Sequence, residues 1–149
     1  MSLETDIGCL RCLPLFQDMP ASRLKLVALM GERQQFEPGA VLISPQEKLE
    51  GVYVIMEGEV EISQPRDGAE ERRFVKDTGS ITGDVSLLSG KPFGTTIRAK
   101  TRVSALRIPK DLFFELLQTV PEFSLALCRD LAGRVHRLAS VLLHEHETV

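Results

Sequence analysis

Residues Gly79–Thr101 read GSITGDVSLLSGKPFGTTIRAKT, and this stretch combines the residue types of an anion-binding corner in a β structure. A glycine and a short acid come first, at Gly83-Asp84, followed by the small hydroxyl residues Ser86 and Ser89. A turn at Gly90-Lys91-Pro92 then leads to the start of a strand at Gly94-Thr95-Thr96. Such a segment can direct several backbone N–H groups to one point, and a nest of this kind binds anions without a charged side chain. The stretch therefore predicts a phosphate-binding cassette.

Short strand-like runs surround this cassette on both sides. The run Gly51–Gln64 is apolar-rich and interrupted at Glu57-Gly58, and Asp67-Gly68 is typical of a hairpin turn leading to Arg72–Lys76. Two further strands are predicted at Thr95–Ala99 and Val103–Ile108. Many short strands separated by glycine, proline and aspartate favour a jelly-roll-like β-roll, a double-stranded β-helix over about residues 32–109.

Helical periodicity precedes and follows the predicted roll. The first 35 residues are predicted to be helical, with Leu10, Leu13 and Phe16 on one face and Ser22 as a helix cap. After Pro109 the helical pattern resumes and Pro121 divides it, which predicts two C-terminal helices over about residues 110–147. The predicted fold class is α+β, in one domain that spans residues 1–149.

Composition limits the function classes. The chain has 149 residues, 43% of them hydrophobic and 26% charged, and its net charge is −3, which argues against a nucleic-acid-binding module. No apolar run approaches the ~20 residues of a membrane span, and the N-terminus lacks the pattern of a secretory signal. Three cysteines fit a reducing compartment, so a cytoplasmic location is expected.

The ordered motifs resemble the cyclic-nucleotide-binding domain family, which includes catabolite activator regulators and the regulatory subunits of cyclic-nucleotide-dependent kinases. The resemblance extends over roughly Leu13 to Leu143, and the matching segments are Phe36–Gly39, Tyr53–Val60, Gly83–Val85 and Pro92–Ala99. It implies a cyclic nucleotide such as cAMP as a possible ligand. In the family, a glutamate of the cassette accepts a hydrogen bond from the ribose and an arginine pairs with the cyclic phosphate.

This chain departs from the family at both of those positions. Asp84 stands in the place of the glutamate, and Phe93 stands in the place of the arginine. An arginine–phosphate pair contributes on the order of 1.5–3 kcal/mol, so its loss predicts weak or altered binding. Backbone donors near Gly83, Val85, Gly94 and Thr95 are expected to hold an anion weakly. The predicted ligand site comprises the cassette residues Gly83, Asp84, Val85, Ser86, Phe93, Gly94, Thr95 and Thr96.

The last predicted helix has a two-heptad seam of apolar residues at steps of three and four. The seam comprises Cys128, Leu131, Val135, Leu138 and Leu142. Phe123 and Leu127 are expected to pack on the roll, whereas the rest of the helix extends too far for that and favours a partner helix. The resemblance implies a parallel homodimer through this helix. It also implies a lid over the nucleotide base, and the base-contacting pair corresponds to Leu138-Ala139, where polar groups are lost.

Other candidate sites receive little support. Cys9 and Cys12 lie one helical turn apart, and without a βαβ context they are interpreted as reduced cysteines, although a redox role stays open. His144 and His146 fall at the end of the chain, where a lone HxH pair is a poor metal site, so no metal site is predicted. No catalytic constellation is evident, and an enzyme is not expected.

Three functional hypotheses remain from the sequence. The favoured one is a cytoplasmic regulatory or sensory module with weak or altered cyclic-nucleotide binding. The first alternative is a dimerisation or interaction domain that binds no ligand, and the second is a functional cAMP receptor in which another cation replaces the arginine. The chain ends where the DNA-binding motif follows in the family's transcription factors, so DNA binding of that kind is not expected. Membrane binding is not expected either, because no apolar run is long enough for a span.

Overall fold

The computed structural model describes the backbone of residues 2–66 and 69–147 and the side chains of residues 2–63 and 74–143. Over these residues the chain forms five helices and eight strands. In chain order they are α1 (Leu3–Arg11), α2 (Ala21–Met30), β1 (Glu32–Phe36), β2 (Val41–Ile43), β3 (Gly51–Glu57), β4 (Val60–Arg66), β5 (Ala69–Lys76), β6 (Ile81–Thr82), α3 (Asp84–Ser89), β7 (Thr96–Ala99), β8 (Val103–Pro109), α4 (Lys110–Thr119) and α5 (Pro121–Glu147).

The strands form two four-stranded antiparallel sheets, in the orders β1-β8-β3-β6 and β2-β7-β4-β5. Both sheets contribute to one apolar core, with Val54 and Ile55 from the first and Val60 and Ile97 from the second all fully buried. Strand β3 is buried on both faces up to Glu57, because helices α3 and α4 cover the side that does not face the roll. The α+β class and the β-roll with helices at both ends are therefore confirmed.

Aromatic packing joins the N-terminal segment to the C-terminal helices. The ring of Phe123 stacks on Phe16 with centroids 5.6 Å apart and meets the edge of Phe113 at 6.2 Å. Leu127, one turn later on α5, is also buried. Phe123 and Leu127 are thus buried as expected, but the ring contacts of Phe123 are with the N-terminal segment and α4 rather than with the strands of the roll.

Two helical predictions were wrong in detail. The helical region ends at Met30, and Glu32–Phe36 is instead strand β1, paired with β8. The change occurs at Gly31, whose extended backbone brings it close to Leu106: an added Cβ would lie 2.8 Å from that side chain. Ser22 does not cap α2, since the N-cap residue is Pro20 and no side chain caps that end.

The strands on either side of the predicted hairpin turn are paired, with Arg66 opposite Ala69. The turn residues themselves, Asp67-Gly68, lie outside the described residues. The glycines at four corners of the roll, Gly39, Gly58, Gly83 and Gly90, all have positive φ. At Gly58 the requirement is strict, because φ is +94° and an added Cβ would lie 2.3 Å from the carbonyl oxygen of Arg102.

Candidate functional site

The predicted cassette forms one wall of a cleft of about 320 Å³ beside helix α3. Left-handed glycines, Gly83 and Gly90, bound this six-residue helix. The buried hydroxyl of Ser86 donates to the carbonyl oxygen of Lys91 at 2.5 Å, which ties the helix to the following loop. The structure brings six of the eight predicted cassette residues into the lining of this cleft: Gly83, Asp84, Val85, Ser86, Phe93 and Thr95.

The other two predicted residues do not line the described part of the cleft. Thr96 begins strand β7. The amide of Gly94 donates to the carbonyl oxygen of Pro45 at 2.9 Å. This amide is therefore engaged within the protein, because the loop after β2 folds against the cassette.

The carboxylate of Asp84 is almost completely buried, at 1% exposure, and it is paired with Arg134 of helix α5. Nη2 of Arg134 lies 2.5 Å from Oδ2 of Asp84, and Nη1 lies 3.4 Å from Oδ1. Nη2 also lies 2.8 Å from Oδ2 of Asp130, one helical turn earlier. Helix α5 thus closes over the cassette through a charge pair, which the sequence reasoning missed.

Burial and neighbouring charges act on two cations at this contact. Burial by itself lowers the pKa of the Arg134 guanidinium, but the hydrogen bonds and charges of Asp84 and Asp130 outweigh it and leave that pKa above its ordinary value. Burial lowers the pKa of Lys76, and the positive charges of Arg134 and Arg137 lower it further against the opposite effect of the two aspartates. Nζ of Lys76 donates to the carbonyl oxygen of Ile81 at 3.1 Å.

A second, larger groove of about 620 Å³ lies between strand β5 and helix α5. Its apolar lining comprises Ile62, Phe74, Val75, Ile81, Leu138 and Val141. Leu138, predicted as part of the base lid, lines this groove, whereas Ala139 is exposed and is not among the described lining residues. Lys76 and Arg134 line both the groove and the cassette cleft, so the two clefts meet at these side chains.

The predicted seam of α5 is exposed at every position except Leu131. Leu131 is half-buried against the core, and Cys128 is exposed. Beyond them, Val135, Leu138 and Leu142 are 65%, 58% and 56% exposed. The apolar face therefore continues along α5 after the contacts with the roll have ended.

The remaining candidate residues whose side chains the structure describes form no cluster of functional groups. Cys9 and Cys12 are free and exposed at the end of α1. Within the described part of the chain, no three histidine, cysteine or acidic residues are placed to share a metal ion. The side chains of His144 and His146 lie outside that part. No helix among the described residues has both the length and the hydropathy that a membrane crossing requires.

The two-sheet roll, its cassette and the long final helix define the class of β-roll regulatory domains. Residues 33–120 match the family model described as the cyclic nucleotide-binding domain, and the chain belongs to that family. Arg134 lies outside the matched residues, on the helix that follows them.

Relatives and solved structures agree with this membership. The chain is 30% identical over 130 residues to the HTH-type transcriptional regulator Cmr of Mycobacterium tuberculosis, covering 84% of this chain and 52% of the regulator. It is 30% identical over 118 residues to the potassium channel AKT2 of Oryza sativa, covering 78% of this chain and 14% of the channel. The chain thus spans at most about half the length of these relatives. The Thermus thermophilus catabolite activator protein shares the fold at a TM-score of 0.76 with 20% identity, covering 87% of this chain and 61% of that one.

Proposed function

We propose that this chain is a regulatory module of the cyclic nucleotide-binding family in which the nucleotide site is altered, so that cAMP binds weakly or a different ligand is preferred. The observation that carries this proposal is the half-buried ring of Phe93 in the lining of the cassette cleft, where the resemblance places an arginine. A phosphate at that position loses a charge-assisted hydrogen bond and meets an apolar surface instead.

The paired state of Asp84 supports the same proposal. Both of its oxygens face the guanidinium of Arg134, so a ribose hydroxyl has to share the carboxylate with that arginine. An ionised carboxylate has about four acceptor positions, and sharing is therefore chemically feasible. Any ligand that contacts Asp84 also meets the side chain that holds α5 in place. Binding then has a direct route to the position of that helix, provided that the ligand prefers one arrangement of it.

We further propose that the module is one domain over residues 1–149 and forms a homodimer through the exposed seam of α5. The support is the apolar face at Val135, Leu138 and Leu142, which lies outside the packed core. We infer a regulatory rather than a catalytic role, in keeping with the transcriptional regulator to which the chain is similar. The free cysteines fit a cytoplasmic location.

Calorimetry with cAMP on the wild type and on Phe93→Arg tests the altered site. If the cleft is otherwise intact, the new arginine is expected to strengthen binding by about 1.5–3 kcal/mol, or roughly one to two decades of affinity. Phe93→Leu is the matched control, because it removes the ring without adding a charge, and it is expected to give no comparable gain. Tight binding by the wild type without a gain in Phe93→Arg would contradict the altered site and favour a functional cAMP receptor.

The exposed seam favours a second candidate function, a dimerisation domain that binds no small molecule. A thermal-shift panel of cAMP, cyclic GMP, cyclic dinucleotides and simple anions separates the two. A ligand at 100 times its Kd adds about 2.7 kcal/mol of stability, which such an assay detects. A panel without any shift, in a protein that is dimeric, would favour the dimerisation domain.

A further inference from the structure

The cassette cleft and the β5–α5 groove share a junction at Lys76 and Arg134. The cassette cleft is the smaller of the two and holds most of the hydroxyl side chains, and the groove is larger and mostly apolar in its lining, with Phe74, Leu138 and Val141 among its walls. Binding sites for small molecules commonly combine an apolar wall with a few converging polar groups. The junction is the place where the two kinds of surface meet.

Lys76 has unused donor capacity at this junction. An ammonium group carries three N–H donors, and within the described part of the chain Nζ makes one hydrogen bond, to Ile81. The side chain is half-buried, so its remaining donors are only partly hydrated. Burial and the nearby arginines Arg134 and Arg137 act against the charged form of the lysine more strongly than Asp84 and Asp130 favour it, and a bound anion would offset that net effect.

Arg134 adds a second unused donor at the same place. Its two terminal nitrogens are taken by Asp84 and Asp130, whereas its Nε is buried and has no hydrogen-bond partner among the described residues. A buried donor without a partner is destabilising, and each such group calls for a physical explanation. An acceptor on a ligand bound between Lys76 and Arg134 provides one.

The charge of the lining agrees with an anionic group. Among the residues with described side chains, the cassette cleft is lined by the cations Lys76, Lys91 and Arg134 and by one acid, Asp84. With the groove included, the described lining adds Arg137, Asp77 and Asp130, so four cationic side chains face three acids. The surplus is positive even though Phe93 occupies the place of the family's arginine.

We propose that this junction binds an anionic group of the ligand, with Lys76 as the main contact and Nε of Arg134 as a second donor, while the β5–α5 groove holds an apolar or aromatic body attached to that group. The ligand class is therefore an anion with an apolar or aromatic body. The inference rests on the proposed function in one respect, since both require that the module binds a small molecule. Its particular claim is the position of the anion, at strand β5 rather than at the cassette turn.

The first experiment uses inorganic phosphate as the probe for the anion alone. Wild type, Lys76→Met and Lys91→Met are unfolded thermally in rising phosphate, with chloride at matched ionic strength as the reference. Phosphate is expected to raise the Tm of the wild type and of Lys91→Met above the chloride value and to have a much smaller effect on Lys76→Met. Lys76→Arg, which keeps the charge, is expected to retain the phosphate response. Equal responses of wild type and Lys76→Met would overturn the inference.

The second experiment uses cAMP and its uncharged parent adenosine, which share the base and the ribose but differ in the phosphate. Lys76→Met is expected to lower the affinity for cAMP by about tenfold or more, the loss of one charge-assisted hydrogen bond, and to leave adenosine affinity unchanged. An unchanged cAMP-to-adenosine ratio in Lys76→Met, or a loss confined to Lys91→Met, would place the anion elsewhere and refute the inference. If phosphate responds as expected but cAMP shows no binding even to Phe93→Arg, the proposed nucleotide site fails while the anion junction stands.

Discussion

Replacing Arg134 by methionine tests the charge pair that attaches α5 to the cassette. The substitution keeps much of the apolar length of the side chain and removes the guanidinium, which leaves the carboxylate of Asp84 buried without its partner. Breaking a buried ion pair by removing one member costs ~3–5 kcal/mol. Arg134 is itself 19% exposed, and water that reaches its place will solvate the carboxylate in part. We therefore expect Arg134→Met to lower the free energy of unfolding by about 2–4 kcal/mol.

Two further variants separate the buried contact from the exposed one. Asp130→Asn removes only the contact with a half-exposed acid one turn earlier on α5, and such i,i+4 helix pairs contribute roughly 0.3–0.5 kcal/mol. Asp84→Asn combined with Arg134→Met removes both buried charges. Because the unpaired charge is the main cost, the double variant is expected to be more stable than Arg134→Met alone.

Urea unfolding followed by circular dichroism measures all of these variants. The expected order of stability is wild type, then Asp130→Asn, then the double variant, with Arg134→Met the least stable. If Arg134→Met loses less than about 1 kcal/mol, similar to Asp130→Asn, the buried pair does not hold the helix. A double variant no more stable than Arg134→Met would also refute the reasoning, since the cost would then be lost packing rather than an unpaired charge.

Three other predictions concern the seam, a corner glycine and a half-buried lysine. Leu142→Asp is expected to give monomers in sedimentation equilibrium, because it places a charge in the dimer contact. Leu29→Asp, at a similarly exposed leucine of α2, is the control and is expected to remain a dimer. A monomeric wild type would contradict dimerisation through the seam. Gly58→Ala is expected to lower the free energy of unfolding in urea by at least ~2 kcal/mol, because φ is +94° and the new Cβ meets a backbone carbonyl. Gly8→Ala is the control: an added Cβ there meets no atom within 4 Å, and the change is expected to raise the free energy of unfolding by about 0.5–1 kcal/mol. Burial, together with the charge of Arg134, holds the pKa of Lys76 below its ordinary value in the folded chain, so between the folded and the unfolded pKa the folded chain binds fewer protons than the unfolded chain. Wild type should therefore gain stability relative to Lys76→Met as pH rises through this window, and a flat difference would refute it.

The β-roll was predictable because its signals are local. A continuous apolar run marks strand β3, and the alternation of Val60 and Ile62 with polar residues marks β4. Glycine at position 58 supplies a backbone conformation that other residues adopt only with strain. The helical prediction failed at Glu32–Phe36 because this strand lies at the edge of its sheet and is mostly polar. Its sequence therefore lacks the alternation of apolar and polar residues that marks a strand. Tertiary pairing with β8, rather than local preference, makes this segment a strand.

The cassette was predicted in position but not in its chemistry. Local motif order located Gly83, Asp84 and Phe93, and the structure places all three in one cleft. The partner of Asp84 was missed because Arg134 is 50 residues away in sequence and belongs to a helix interpreted from its apolar seam. The i,i+4 spacing of Asp130 and Arg134 predicts an ion pair within the helix, and that pair is present. The spacing does not predict that Arg134 also pairs with a buried acid on another element.

The seam and the charge pair are on the same helix, and this placement links the proposed site to the proposed dimer. Arg134 directly precedes Val135, so the residue that closes the cassette is adjacent to the first strongly exposed residue of the seam. Helix α5 can be attached to the cassette through this pair or released from it, and a ligand that contacts Asp84 or Arg134 changes the free energy of the attached arrangement. Such a ligand acts as a switch only if it binds the attached and the released arrangement with different affinities. Hydrogen exchange of the α5 amides therefore reports ligand coupling. Slower exchange around Arg134 on ligand binding indicates a sensor. Exchange that no ligand alters, while Arg134→Met accelerates it, indicates that the charge pair serves the fold alone.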